Sequence, residues 1–262
     1  MVKFLFIEAF YNKEVSLNEE ALNLLRSYKT VALFASVQFV KLEKVKEQLK
    51  DLGINTITSK ARRTSAVNQT LGCDCSADSF EDPDIFNKSD VVLYVGDGLF
   101  HPKALLLAQQ NAQNKKDVIM FDPISDSVKV LTQKDIENQK KKYHSNMVKY
   151  MHAKNVGVLV STKTGQQYLN SAVALKGYAE RVDKNFFIFV GDTFNMGEME
   201  NFPFIEAWVN TACPRIGTDD IVNLDKPLIN INDALRHAQQ NIAEVNVKVE
   251  DSAKPIYAKN VN

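Results

Sequence analysis

Cysteine is scarce in this chain, tryptophan scarcer still, and long apolar runs are missing. The 262 residues contain three cysteines, Cys73, Cys75 and Cys213. A small odd number argues against a disulfide framework. The apolar start Met1-Val2-Lys3-Phe4-Leu5-Phe6-Ile7-Glu8 is short, and no small-residue cleavage site follows it. It reads as a buried strand and not as a signal peptide. No stretch approaches the ~20 apolar residues that a bilayer-spanning helix needs. The chain is therefore expected to be cytoplasmic, with no membrane partner. An excess of either charge is missing too: Lys plus Arg is 32 and Asp plus Glu is 32. That removes any global electrostatic case for direct nucleic-acid binding.

Several catalytic signatures are absent as well. There is no G-x-x-x-x-G-K-[ST] phosphate loop and no G-x-G-x-x-G leading into a helix, which disfavours nucleotide hydrolysis and dinucleotide binding. There is no G-x-S-x-G nucleophile elbow. Cys73 and Cys75 form a C-x-C pair, but no second pair of ligands lies nearby, so a structural zinc site is disfavoured.

What the sequence does contain is an alternation of strands and helices. Val2–Ala9, Thr30–Ala35, Ile54–Thr58, Val91–Val95 and Asp117–Phe121 read as strands. The apolar spacing in Leu17–Arg26 and Phe39–Leu52, and Pro102 in a first helical turn, mark helices between them. Thr132, with Asp135 three residues on, suits the cap of a long polar helix that carries Lys140-Lys141-Lys142. The second half repeats the rhythm, with strands at Val156–Val160, Phe186–Val190 and Ile205–Thr211 and helices at Gly165–Arg181 and Asp233–Val245. The fold class expected is α/β, with two similar domains, each a mainly parallel sheet flanked by helices. The boundary is placed to give domains 1–125, carrying Cys73 and Cys75, and 126–262, carrying Cys213.

In such sheets ligands bind outside the carboxyl ends of the strands, so the loops there carry the candidate chemistry. Cys213 follows a strand directly, with Pro214 and Arg215 after it. Arg215 suits a bidentate grip on a carboxylate; the plainer alternative is a surface pair with Asp219 or Asp220. Gly96-Asp97-Gly98-Leu99-Phe100-His101-Pro102 is a strand-to-helix loop able to bring N–H groups to an anion. Ser161-Thr162-Lys163-Thr164-Gly165-Gln166 is its counterpart in the second half.

Taken in order, these stretches resemble the diphthamide synthases, the 2-(3-amino-3-carboxypropyl)histidine synthases. Ser36-Val37-Gln38-Phe39 is similar to the family's T-V-Q-F, Leu71-Gly72-Cys73 to its L-G-C, and the Gly96–Pro102 loop to its G-x-G-x-F-H. Asp122-Pro123, Gly165-Gln166, Asn210-Thr211-Ala212-Cys213-Pro214-Arg215-Ile216 (close to the family's A-C-P-R-[IL] site) and Lys226-Pro227-Leu228 continue the match, which spans about residues 30–230. The resemblance implies a radical SAM-type transferase of diphthamide biosynthesis. A 4Fe–4S cluster, held by three cysteines, would cleave S-adenosylmethionine and send its 3-amino-3-carboxypropyl group to a histidine of translation elongation factor 2. It implies Cys73 and Cys213 as cluster ligands meeting in a shared pocket. Gln166 and Arg215 are candidates for the methionyl end, and Gln38, Gly98 and His101 for the rest of the pocket. It also implies a homodimer or pairing with a homologous chain. The family's first cysteine has no counterpart before residue 73. Either Cys75 stands in as the third ligand, or a separate chain supplies it, or the protein is a non-catalytic partner subunit. A small-ligand-binding α/β protein with inert cysteines is the remaining reading.

Overall fold

Thr30–Ala35 contains no charged residue and little but aliphatic and aromatic bulk, which suits a strand covered on both faces. In the computed structural model, which describes residues 9–62, 64–72, 79–109, 112–163, 166–213, 216 and 224–240, it is strand β1 and five of its six residues are buried. Helix α1, Glu19–Leu25, precedes it, capped by the Asn18 side chain, which accepts the Ala21 N–H. After β1 come α2, Glu43–Asp51, β2, Asn55–Ile57, β3, Val91–Val95, α3, Phe100–Ala108, β4, Val118–Asp122, and β5, Ser127–Leu131. The first sheet has the order β2-β1-β3-β4-β5. It is parallel except for β5, which returns antiparallel on β4. Alternation along β1 divides the core. Val31, Leu33 and Ala35 face α1 and α2, whereas Ala32 and Phe34 face α3 and the Phe80–Phe86 turn.

Thr132 and Asp135 form the expected capping box, at a 3₁₀ turn, Gln133–Ile136, that leads into α4, Glu137–His152. The second sheet contains β6, Asn155–Ser161, β7, Asn185–Gly191, β8, Ala207–Asn210, and β9, Leu228–Asn230. Its order is β7-β6-β8-β9, all parallel. Helix α5, Leu169–Lys176, and a helix at 231–240, here α6, join α4 on one face. Among the described residues the other face is covered without an α-helix. Phe189, Phe194 and Phe202 close over Leu159, Met199 and Trp208 there.

The two-domain α/β architecture stands as expected from the sequence. The boundary does not fall at 125/126: compact units divide between Asn138 and Gln139. Ser127–Leu131 is the reason, because its pairing with β4 keeps it in the first unit. Helix α5 is shorter than the expected Gly165–Arg181, since single turns replace it after Gly177. All of the expected strand Val2–Ala9 except Ala9, and the end of the last helix, lie outside the described residues.

The units share an order of connection: the first parallel strand is central, the second lies at its outer edge, and the third and fourth follow on the other side. They also share a clamp. Asp90, just before β3, accepts the N–H groups of Lys29 and Thr30 at 2.9 and 2.8 Å. Glu206, just before β8, accepts those of Lys154 and Asn155. In each case a carboxylate fastens the start of the central strand to that of its neighbour.

Candidate functional site

The carboxyl ends of the parallel strands hold the candidate residues, one set in each unit. In the first unit, β1 runs into Ser36, whose N–H donates to Val95 O at the end of β3. The buried Ser36 hydroxyl donates to Gln38 Oε1 at 2.8 Å. Gln38 is therefore held at the end of the sheet, and its carbonyl also accepts the Tyr11 N–H. From β3, the fully buried Tyr94 presents its ring to His101 in a stacked pair with centroids 5.9 Å apart. Gly96 lies between the two. A Cβ on it would come within 2.6 Å of the Tyr94 hydroxyl and 3.0 Å of Ser36 Oγ, so glycine is required for this close approach. Gly98 follows in the same loop. Gln38, Gly98 and His101 are thus gathered at one end of the first sheet.

Cys73 and Cys75 lie outside the described residues, but the chain leading to them does not. Ala35 at the tip of β1 pairs with Gln69; it donates to Asn68 O and its carbonyl accepts the Thr70 N–H. Asn68, itself buried, donates through its side chain to Val40 O at 2.9 Å. At Gly72 a Cβ would fall 2.2 Å from the Phe100 ring, so Leu71-Gly72 passes directly over the start of α3. The sequence enters residue 73 from the same strand ends that hold Gln38 and the Gly96 loop.

In the second unit Cys213 is a half-buried free thiol just past β8. Asn210 shapes the turn that carries it. Its side-chain N–H₂ donates to Cys213 O at 2.8 Å and to Asn230 Oδ1 on β9 at 2.9 Å, and its oxygen accepts the Ala212 N–H at 3.0 Å. Thr211 binds Leu159 O on β6 through both its N–H and its hydroxyl. The loop after β6 ends against the same edge: Ser161 Oγ accepts the Lys163 N–H, and the Gln166 N–H donates to Lys163 O. Gln166 and Cys213 thus stand on neighbouring loops of one sheet. Arg215 lies outside the described residues.

Asn210, Thr211 and Ser36 lie in the family-like stretches but, like Tyr94, were not among the site residues expected from sequence. Asn210 carried a local signal: a polar amide closing a buried strand three residues before a cysteine. Ser36 and Tyr94 carried none by residue type, since their roles come from the turn after β1, where the Ser36 hydroxyl meets Gln38, and from the stacking of Tyr94 on His101.

Among the described residues no three or more His, Cys, Asp or Glu side chains converge on a common point. The chain's sulfur donors favour a soft, thiolate-bound centre such as an iron–sulfur cluster over a magnesium or calcium ion. Cys213 fits that chemistry by place and partial exposure. No helix among the described residues is long and apolar enough to cross a membrane.

A sequence model of the family described as "Putative diphthamide synthesis protein" matches residues 1–244. The 2-(3-amino-3-carboxypropyl)histidine synthase of Pyrococcus horikoshii is 28% identical over 229 residues, covering 86% of this chain and 62% of its own length. That of Methanocaldococcus jannaschii is 26% identical over 237 residues, covering 87% and 59%. The crystal structure of Dph2 from Pyrococcus horikoshii with a 4Fe–4S cluster superposes with a TM-score of 0.69 at 25% identity, covering 88% of this chain and 64% of that one. The chain thus spans about three fifths of the relatives it matches. With 244 of its 262 residues matched by the family's sequence model, the chain belongs to the diphthamide synthesis protein family.

Proposed function

We propose that this chain takes part in transferring the 3-amino-3-carboxypropyl group of S-adenosylmethionine to a histidine of translation elongation factor 2, with a 4Fe–4S cluster as the redox centre. One observation carries the reading. Cys213, the cysteine of the family-like A-C-P-R-I stretch, is a free, partly exposed thiol held at the carboxyl end of a parallel sheet by a dedicated clamp from Asn210. Strand ends of this kind are where α/β sheets bind ligands.

A thiolate-held cluster, when bound, supplies an electron to the sulfonium and an open iron position for the methionyl end. The chain's own part is to bind and aim. Cys213 and Cys73 serve as two thiolate ligands, and Cys75 or another chain provides the third. Gln166 and Arg215 hold the methionyl amino and carboxylate groups; Arg215 matches a carboxylate with two parallel N–H bonds. Gln38, which the Ser36 hydroxyl holds, and His101, which is braced on Tyr94, would line the pocket, with Gly98 leaving room for backbone approach. Such placement fixes which carbon of the sulfonium lies nearest the iron.

Anaerobic reconstitution with iron and sulfide tests the reading. About four irons per site and broad visible absorbance are expected, together with loss of both in Cys213→Ala and in Cys73→Ala. Full iron uptake by Cys213→Ala would overturn the ligand assignment.

A further inference from the structure

Lys226-Pro227-Leu228 is one of the family-like stretches, yet the chemistry proposed above gives it no part. Lys226 stands in the wall of a cavity of about 260 Å³ in the second unit. The facing wall comes from the 3₁₀ turn Met196–Asn201 and from Pro203 after it. The Lys226 ammonium ties the two walls together, donating to Phe202 O at 2.8 Å. Trp208, fully buried, belongs to the same lining. Its indole N–H is buried too, and no protein group among the described residues accepts it. A buried donor is costly to leave without an acceptor, so each such group asks for an explanation.

The direction of that N–H follows from Gly157. The ring atoms nearest the place of a Gly157 Cβ are Cζ3, Cε3 and Cη2. Nε1 is on the other edge of the indole, so the N–H turns away from β6. The other neighbour of β8 is β9, and the cavity-lining Leu224, Asp225 and Lys226 lead into it. The donor is thus aimed to the side on which the cavity lies.

We propose that this cavity binds a small molecule with a branched apolar body and a carbonyl oxygen, and with no negative charge, the oxygen accepting the Trp208 N–H. Each part of that description has a source. Met199, Pro203 and Leu224 supply apolar walls. The volume is just under the range of ordinary small-molecule sites, about 300–1,000 Å³, so the body is compact. Two exposed carboxylates, Glu200 and Asp225, border the cavity against one ammonium, that of Lys226, which Phe202 O already engages. That balance favours a cation over an anion. The site lies beside the start of β9 and contains no candidate cluster ligand. It goes beyond the proposed chemistry and does not depend on it.

Leucinamide, which has an isobutyl body, a carbonyl and an ammonium group, is the probe. It is titrated into the isotope-labelled full chain while the one indole N–H resonance is followed. A saturable downfield shift of the indole proton is expected, with a rise in the midpoint of thermal unfolding. Isoamylamine keeps the body and the ammonium but lacks the carbonyl, and is expected to bind about tenfold more weakly. N-Acetylleucine, an anion, is also expected to bind more weakly than leucinamide. Glu200→Gln with Asp225→Asn should abolish that preference. Leu224→Phe fills the cavity and should remove the shift while circular dichroism stays unchanged. An indole resonance that leucinamide does not move, an equal response to isoamylamine, or a shift retained in a folded Leu224→Phe overturns the proposal. The comparison of leucinamide with isoamylamine needs no variant, so it decides even if Leu224→Phe fails to fold.

Discussion

The two units share one strand order, yet they solve the packing across their central strands in opposite ways. In the first, Ala32 on β1 pairs with Val92 on β3; in the second, the equivalent partners are Gly157 on β6 and Trp208 on β8. Two medium side chains become none and the largest available. A Cβ at Gly157 would lie 2.2 Å from the Trp208 ring, so the indole occupies the space that Gly157 vacates. Several rings gather round it: Phe189 stands edge-on at 5.0 Å, and Phe202 at 6.3 Å. The difference teaches how the second sheet covers a face that has no α-helix among the described residues. One large aromatic residue, seated on a glycine, does what a helix does in the first unit.

The sharpest way to break the comparison is Trp208→Ala. Removing a fully buried aromatic side chain costs about 3–5 kcal/mol, and the loss is expected in the second unit while the first stays folded. Chemical unfolding followed by circular dichroism would then change from one transition to two; an unchanged midpoint would contradict the role given to the ring. Gly157→Ala comes next, at about 1–3 kcal/mol from overpacking. Ala32→Gly in the first unit is its counterpart. It leaves a small void and costs roughly 1 kcal/mol through backbone entropy and lost contact.

Asn210→Ala tests the clamp on the cysteine loop. It leaves Asn230 and the Ala212 N–H without this partner, so about 1–3 kcal/mol of stability is expected to go. Reconstituted iron should also be lost faster to a chelator than from the parent chain. Leu is the control at the same site, since it restores bulk but not the hydrogen bonds. Equal iron retention in all three would remove Asn210 from the site.

The smallest effect concerns the matching carboxylate clamps. N–H groups of Thr30 and Lys29 hold the Asp90 carboxyl below its ordinary pKa, and those of Lys154 and Asn155 do the same for Glu206. A carboxylate depressed in the folded state stabilises it above the unfolded pKa, near 4, and that contribution fades as pH falls through the folded value. Asp90→Asn and Glu206→Gln should therefore narrow the gap in melting temperature between pH 7 and pH 3, each by a similar amount if the units are equivalent. An unaltered gap would count against the clamp.

Much of the architecture was legible because strands buried on both faces announce themselves. Thr30–Ala35 and Val91–Val95 were read to the residue, and Val156–Val160 and Phe186–Val190 to within one at each end. Strand β5 was not legible, since Ser127 and Lys129 leave too short an apolar run; neither was β9, at three residues. The candidate loops were legible for a related reason: a strand that ends in glycine or cysteine places both where ligands bind. The supporting groups were not. Nothing local in the sequence tells that Ser36 reaches Gln38 across a turn, or that Tyr94 stacks under His101.

Trp208 has one further consequence. It is the chain's sole tryptophan, it is completely buried, and its indole N–H has no hydrogen-bond partner among the described residues. Emission excited near the red edge of the absorption band therefore originates in the second unit alone. It should begin blue and shift to longer wavelength only when that unit opens. The molecule contains its own colour-coded gauge of which half lets go first.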